Sequence, residues 1–181
     1  MSGHNKWSKI KRKKGVLDSK RSKVFSKHAR LIASEVKRAS GDTSSAIVLA
    51  AVERAKADSM PNENIERALQ KGSTDGVVVD EVVFEAFGPG GSALIIVAQT
   101  DNNNRTSQEI KHLFSKEGYA LGSPGSASWA FLKANGQYTP TAPLALSDED
   151  GEKLANLIEI LEDHDDVQDV FTSADEPDSA D

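Results

Sequence analysis

Four histidines, His4, His28, His112 and His164, are the first residues to test for chemistry, and no two stand at the spacing of a metal-binding pair. Cysteine is absent, which excludes disulfides, Cys-based zinc sites, iron–sulfur ligation and thiol catalysis together. In Gly122-Ser123-Pro124-Gly125-Ser126 no serine has glycines at the spacing of a nucleophile elbow. Gly88-Pro89-Gly90-Gly91 lacks the Lys-Ser/Thr of a phosphate cradle and reads as a hairpin turn. The run Glu162, Asp163, His164, Asp165, Asp166 offers ligands to a hard cation, but without the glycine-turned loop of a calcium site it reads as a solvated helix end. No catalytic set, no metal set and no cofactor emerges, and the chain is expected not to be an enzyme.

The chemistry that is present is phosphate binding. Residues 1–40 hold 13 Lys/Arg against Asp18 and Glu35, for a net +11. Residues 41–72 are near neutral at −1, and residues 73–181 carry −16, which gives the net −6 of the 181-residue chain. Such asymmetry points to a polyanion at the basic end. Lys6, Lys9, Lys11, Arg12, Lys13, Lys14, Lys20, Arg21, Lys23 and Lys27 are the candidate phosphate contacts, and Trp7 can stack on an exposed base. The bland reading is a solubilising basic face. A possible second contact is Asn102, Asn104 and Arg105, at a strand end leading into a helix N-terminus; an Asn-rich turn with a cap is the alternative.

These residues need elements to carry them. Residues 1–17 form a basic arm without helical period, kept extended by like-charge repulsion. It has no apolar core of a secretory signal, and no apolar run is long enough for a membrane helix, so a cytoplasmic protein with no membrane partner is expected. A helical domain spans 18–72. Val24, Phe25, His28, Leu31, Ile32, Glu35, Val36 and Ala39 fit an amphipathic helix, with Asp18 or Ser19 as cap and Gly41 as stop. Its first turns crowd Lys20, Arg21, Lys23 and Lys27 against the helix dipole, a conflict that phosphate outside the protein would relieve. A second helix runs from about Ser45 to Ser59 and packs through Ile47, Ala51, Val52 and Ala55; a third, capped by Asn62 and closed by Gly72, carries Ile65 and Leu69. As a helix-turn-helix reader this third helix is unpromising, because Glu63 and Glu66 face a groove that wants cations.

A linker at 73–80 precedes an α+β domain at 81–173, and 174–181 is an acidic tail. Glu81–Phe87 and Ser92–Gln99 are expected strands. Thr106 and Glu109 form a capping box for a helix bearing Ile110, Leu113 and Phe114 and stopped by Gly118. Ser126–Lys133 is expected as the third strand, and a Pro-containing stretch follows to Leu146. A helix starting at Ser147 or Asp150 carries Leu154, Leu157, Ile158 and Leu161, and Val167–Thr172 is the last strand. The fold class is therefore α+β: a three-helix N-terminal domain, then a four-stranded sheet with two helices packed on one face, in the order ββαβαβ.

Gly3-His4-Asn5-Lys6-Trp7-Ser8-Lys9-Ile10-Lys11, Asp18-Ser19-Lys20-Arg21, Phe25-Ser26-Lys27, Met60-Pro61, Ile65-Glu66-Arg67-Ala68, Phe87-Gly88-Pro89-Gly90-Gly91, Thr100 to Thr106 and Leu161-Glu162-Asp163 with Asp165-Asp166-Val167-Gln168 closely resemble the YebC/PmpR family over nearly the whole chain. The resemblance implies a cytoplasmic, cofactor-free, non-enzymatic regulator of gene expression. The family label is DNA-binding transcriptional regulation; some members act at the ribosome on proline-rich stretches, and mitochondrial relatives activate translation of a cytochrome oxidase subunit. DNA and ribosomal RNA, the second with the ribosome behind it, are thus rival expected partners. The alternative is an acidic protein-interaction adaptor that binds no nucleic acid. Against the family pattern, a further α/β domain is missing between Ser126–Lys133 and Asp148–Asp163, and Asn103 stands where a basic residue is common.

Overall fold

The computed structural model describes residues 17–74, 79–134 and 136–175, with side chains described from residue 23 onward. Arm residues Lys6, Trp7, Lys9, Lys11, Arg12, Lys13 and Lys14, the middle of the linker and the end of the acidic tail lie outside the described residues. The described chain separates into two compact units, one of residues 17–82 with 99–103 and the other of 83–98 with 104–175.

The first unit holds three helices, α1 (Leu17–Arg38), α2 (Ala46–Ala57) and α3 (Asn62–Ser73). Their core is Ile32, Val36, Val48, Ala51, Val52, Ala55, Met60, Ile65 and Ala68, with Phe25 and Ala29 packed against it. α1 is described from Leu17, one residue ahead of the expected start at Asp18 or Ser19. Gly41 does stop it: the Gly41 N–H reaches back to the Val36 carbonyl at 2.9 Å while Ser40 takes the left-handed conformation at φ 55°. α2 buries Val48, not Ile47, which is 39% exposed. Both choices fit a helical period with Ala51 and Ala55, and tertiary packing selects Val48.

α3 differs from its expected ends as well. Pro61 is its N-cap, Asn62 is its first residue, and the helix runs through Gly72 to Ser73. Gly72 is there for space: a Cβ would stand 2.6 Å from the Ala33 carbonyl oxygen and 2.7 Å from the Val36 Cβ of α1. The two helices cross at this residue with backbone nearly touching backbone. Gly72→Ala is expected to destabilise the helical unit by about 1–3 kcal/mol from overpacking, outweighing the ~1 kcal/mol of helix propensity it gains. Urea denaturation measures this, and an unchanged or raised midpoint would refute the close-packing role.

In the second unit β1 (Asp80–Phe87) and β2 (Ala93–Thr100) form a hairpin through a 3₁₀ turn at Pro89–Gly91. Then come α4 (Asn103–Lys116), β3 (Ala120–Leu121), a 3₁₀ turn at Ser128–Ala130, β4 (Phe131–Ala134), β5 (Gln137–Pro140), α5 (Asp148–Glu162) and β6 (Val167–Thr172). The main sheet has the order β3-β1-β2-β6, and β4 and β5 pair separately. The fold is α+β with a four-stranded sheet, as expected, but its third strand in sequence is the two-residue β3. Ser126–Lys133 instead divides into a tight turn and an edge of the small sheet.

β2 is buried along its whole length, which explains why it reads as an unbroken apolar run. Leu94 and Ile96 face a core shared with Ile110 and Phe114 of α4, Leu154, Leu157, Ile158 and Leu161 of α5, and Val170 of β6. Both helices therefore cover one face. On the other face Ile95 and Val97 meet Ala127, Ala130, Phe131 and Phe171. Ser147 caps α5 as expected, its hydroxyl oxygen accepting the Asp150 N–H at 3.2 Å. Thr106 is not a cap: α4 starts three residues earlier, and its hydroxyl donates to Asp166 at 2.7 Å. Among the described residues, no helix is long and apolar enough to cross a membrane.

Candidate nucleic-acid interface

Helical register sorts the charges of α1. Lys20, Lys23, Lys27 and Arg30 follow each other at i, i+3, i+7 and i+10, which confines them to a sector of about 80° on a helix of 3.6 residues per turn. The residues that enter the core, Phe25, Ala29, Ile32 and Val36, fall on the opposite sector. Two more turns bring Lys37 and Arg38, both exposed, onto the same basic side. Lys23 is exposed, Lys27 and Arg30 are half-buried, and Arg21 lies one step off the stripe. The helix thus gathers its basic residues from Lys20 to Arg38, Arg21 apart, on one side. Arg30 and Lys37 were missed as candidates; their signal was the same three- and four-residue spacing, continued past the crowded first turns.

Along the border of this face lies Glu35. Its Oε1 meets Arg38 at 3.4 Å, while its Oε2 is buried without a hydrogen-bond partner. Burial pushes its carboxyl above the ordinary value; Arg38 and Arg54 pull the other way and Glu81 adds to the rise. The folded state therefore favours neutral Glu35, and that contribution is full below the ordinary 4.5 and is lost as pH rises through the raised folded value. Glu35→Gln is expected to stabilise the protein at neutral pH, with the advantage closing as pH falls below 4.5. Equal stability gains at pH 4 and pH 7 in urea titrations would contradict this origin.

On α3 the acids and bases are mixed. Arg67 is paired with Glu63 at 2.6 Å, so the helix presents a neutralised pair where a groove reader would need donors. His28 is a packing residue, its Nε2 lying 2.7 Å from Asp58 Oδ2.

The expected second contact is divided in its behaviour. Asn104 is exposed. Asn102 is exposed too, and its N–H donates to Thr100 Oγ1 at 2.9 Å in a local turn. Arg105 is exposed as well but is engaged by acids: one of its terminal nitrogens donates to Asp166 at 3.0 Å, and its Nε is 3.9 Å from Glu109. Its charge is largely balanced by these acids. The same Asp166, 3% exposed, accepts from Thr106, and its N–H donates to His164 Nδ1 at 3.1 Å. With Nδ1 accepting, His164 carries its proton on Nε2 and donates it to Glu109 at 2.9 Å.

Glu109, His164 and Asp166 place ligand atoms within 4.8 Å of one another. A cation there would compete with the Arg105 guanidinium for Asp166 and would find both nitrogens of His164 engaged. The arrangement works as a hydrogen-bonded tie between the α5–β6 turn and α4, not as a metal centre.

Comparison with known proteins places residues 5–75 in a match to "TACO1/YebC protein N-terminal domain" and residues 79–136 in a match to "TACO1/YebC second and third domain". A probable transcriptional regulatory protein of Pelotomaculum thermopropionicum is 47% identical over 134 residues, covering 72% of this chain and 55% of the relative. The chain thus spans about half the length of such relatives. Another, of Desulforamulus reducens, is 34% identical over 241 aligned positions, covering 97% of this chain and all of the relative. That alignment exceeds the chain's 181 residues by 60, so at least 60 positions of the relative have no counterpart here. The crystal structure of a conserved hypothetical protein of Aquifex aeolicus superposes with a TM-score of 0.79 at 26% identity, over 90% of this chain and 93% of that one.

Proposed function

The chain belongs to the TACO1/YebC family, and we propose that it is a cytoplasmic, non-enzymatic regulator of gene expression that binds nucleic acid through the basic side of α1 together with the basic arm before it. The observation that carries this reading is the one-sidedness of α1. Lys20, Lys23, Lys27 and Arg30 share one sector opposite the buried stripe, which is what a helix laid against a phosphate backbone requires. In the arm, Lys6, Lys9, Lys11, Arg12, Lys13 and Lys14 add charge, and Trp7 adds a ring for stacking. The names of the relatives, probable transcriptional regulatory proteins, agree with a regulatory role.

Binding of this kind reads backbone, not bases. The cations of α1 and the arm would meet phosphates, which carry no sequence information, so structured RNA, including ribosomal RNA, suits the site at least as well as an operator in DNA. Sedimentation of the protein with ribosomes over a salt series, beside gel-shift titration on duplex DNA, tests the reading and separates its two targets. Salt-sensitive association with ribosomes supports RNA, and tight gel shifts without ribosome association support DNA. A protein that binds neither at low salt is an acidic adaptor, and the proposal fails.

A further inference from the structure

Trp129 is 70% exposed, the most exposed large hydrophobic side chain among the described residues, and Leu132 follows at 65%. Single exposed hydrophobics are ordinary on protein surfaces; the way this one is held is not. Its indole Nε1–H donates to the Ser126 carbonyl at 2.7 Å, three residues back. That bond satisfies the ring's one polar group inside its own turn and fixes the ring's orientation. What remains for a partner is π surface.

The turn beneath the ring is itself pinned. The carboxylate of Glu85 on β1 accepts N–H groups from Gly125 at 2.8 Å, Ala127 at 2.7 Å and Ser128 at 2.8 Å. Ala127 and Ala130, on either side of Trp129, are buried in the core beside Ile95 and Val97. A ring mounted on so constrained a turn loses little freedom when it binds, which is the condition for a stacking platform.

The charge around it is also selective. Residues 118–147 contain no Asp or Glu, the longest acid-free stretch in the chain, although residues 73–181 as a whole carry −16. Lys133 is the one charged residue in that stretch, and it is exposed on β4 with its ammonium 5.1 Å from the centroid of the Tyr138 ring. The one acid shown on this turn, Glu85, has its carboxylate taken up by three backbone N–H groups, so the segment that carries the ring adds no acid of its own and one cation, Lys133, four residues on, a charge pattern that tolerates phosphate. A purely apolar protein contact would need no such charge pattern.

We propose that Trp129 is a stacking site for an unpaired base of single-stranded nucleic acid, with Lys133 favouring the adjacent phosphate. The proposal deepens the reading of this chain as a nucleic-acid binder and rests on it. It assigns a preference for single strands or loops to the α+β unit, since bases stacked within a duplex cannot reach the ring.

The test uses the full chain labelled with 5-fluorotryptophan, its two tryptophan signals assigned by the loss of one in Trp129→Phe. Short oligouridylate and oligoadenylate RNA, and a duplex DNA of matching length, are titrated in turn. The Trp129 fluorine signal is expected to shift with the RNAs and to stay in place with the duplex. Trp129→Ala is expected to weaken RNA binding roughly five- to a hundredfold, with Trp129→Phe intermediate and duplex binding little changed. An unmoved signal and unchanged RNA affinity, in a protein whose binding still falls steeply with salt, overturn the stacking site and leave the phosphate-gripping helix intact. Absence of binding to every ligand overturns both. Loss of self-association in sedimentation of Trp129→Ala, with RNA affinity unchanged, would assign the ring to a protein contact and overturn the proposal.

Discussion

Replacing Lys20, Lys23, Lys27 and Arg30 together by glutamine is expected to lower affinity for duplex DNA or structured RNA on the order of a thousandfold near 0.1 M salt, and to flatten the salt dependence by roughly 3 to 4 in log–log slope. The parent protein, with about six to ten of its N-terminal cations on phosphate, should show a slope of roughly −5 to −9 on duplex DNA. Each cation withdrawn from a phosphate returns one condensed counterion's worth of salt sensitivity, which is why slope and affinity must move together. The fold should survive, because the four positions lie opposite the residues that pack into the helical core and glutamine is nearly as good a helix former as lysine or arginine. Arg67→Gln on α3 is the control: its partner is Glu63 of the same helix, and its loss should leave the slope unchanged. A quadruple variant with the parent's slope would show that α1 does not meet phosphate.

How far this interface is legible in the sequence depends on distance along the chain. The basic stripe of α1 is local: residues three and four apart become neighbours on any helix, so spacing alone finds Lys20, Lys23 and Lys27, and carried further it finds Arg30 and Lys37. α5 and β6 are legible for the same reason, since a Ser147 cap and a leucine-rich period are signals contained in the segment. The third strand is not. β3 has two residues and owes its existence to pairing with Ala86 and Phe87 of β1, whereas Ser126–Lys133, with its alternating aromatics, looked stronger. In the structure Glu85 folds the first half of that segment into a turn, through three hydrogen bonds spanning about 40 residues of sequence. Gly72 gave a similar lesson. As a sequence symbol it suggests only a helix end, which follows one residue later; against Ala33 of α1 it is also a position that has no room for a side chain.

Thr106 and Arg105 show the same limit at the expected second contact, and their partner supplies the other large effect. Asp166→Ala is expected to destabilise the α+β unit by about 3 kcal/mol, because a buried acceptor of several bonds is removed while its donors stay behind. Thr106 is fully buried, so its hydroxyl would be left without an acceptor. Arg105 is 43% exposed on its side chain, and water would take up much of its loss. The deficit therefore arises mainly at Thr106, since the bond to His164 Nδ1 comes from the Asp166 backbone N–H and is kept in the alanine variant. Thr106→Val in the Asp166→Ala background removes the stranded hydroxyl and should recover part of the stability. Denaturant midpoints of the two single variants and the double variant measure the coupling between these residues. Freed from Asp166, Arg105 also becomes more available to an anion, so Asp166→Ala should bind phosphate-bearing ligands no more weakly than the parent protein. A weaker Asp166→Ala, measured where it remains folded, would mean that Asp166 holds Arg105 in a binding position, not away from one.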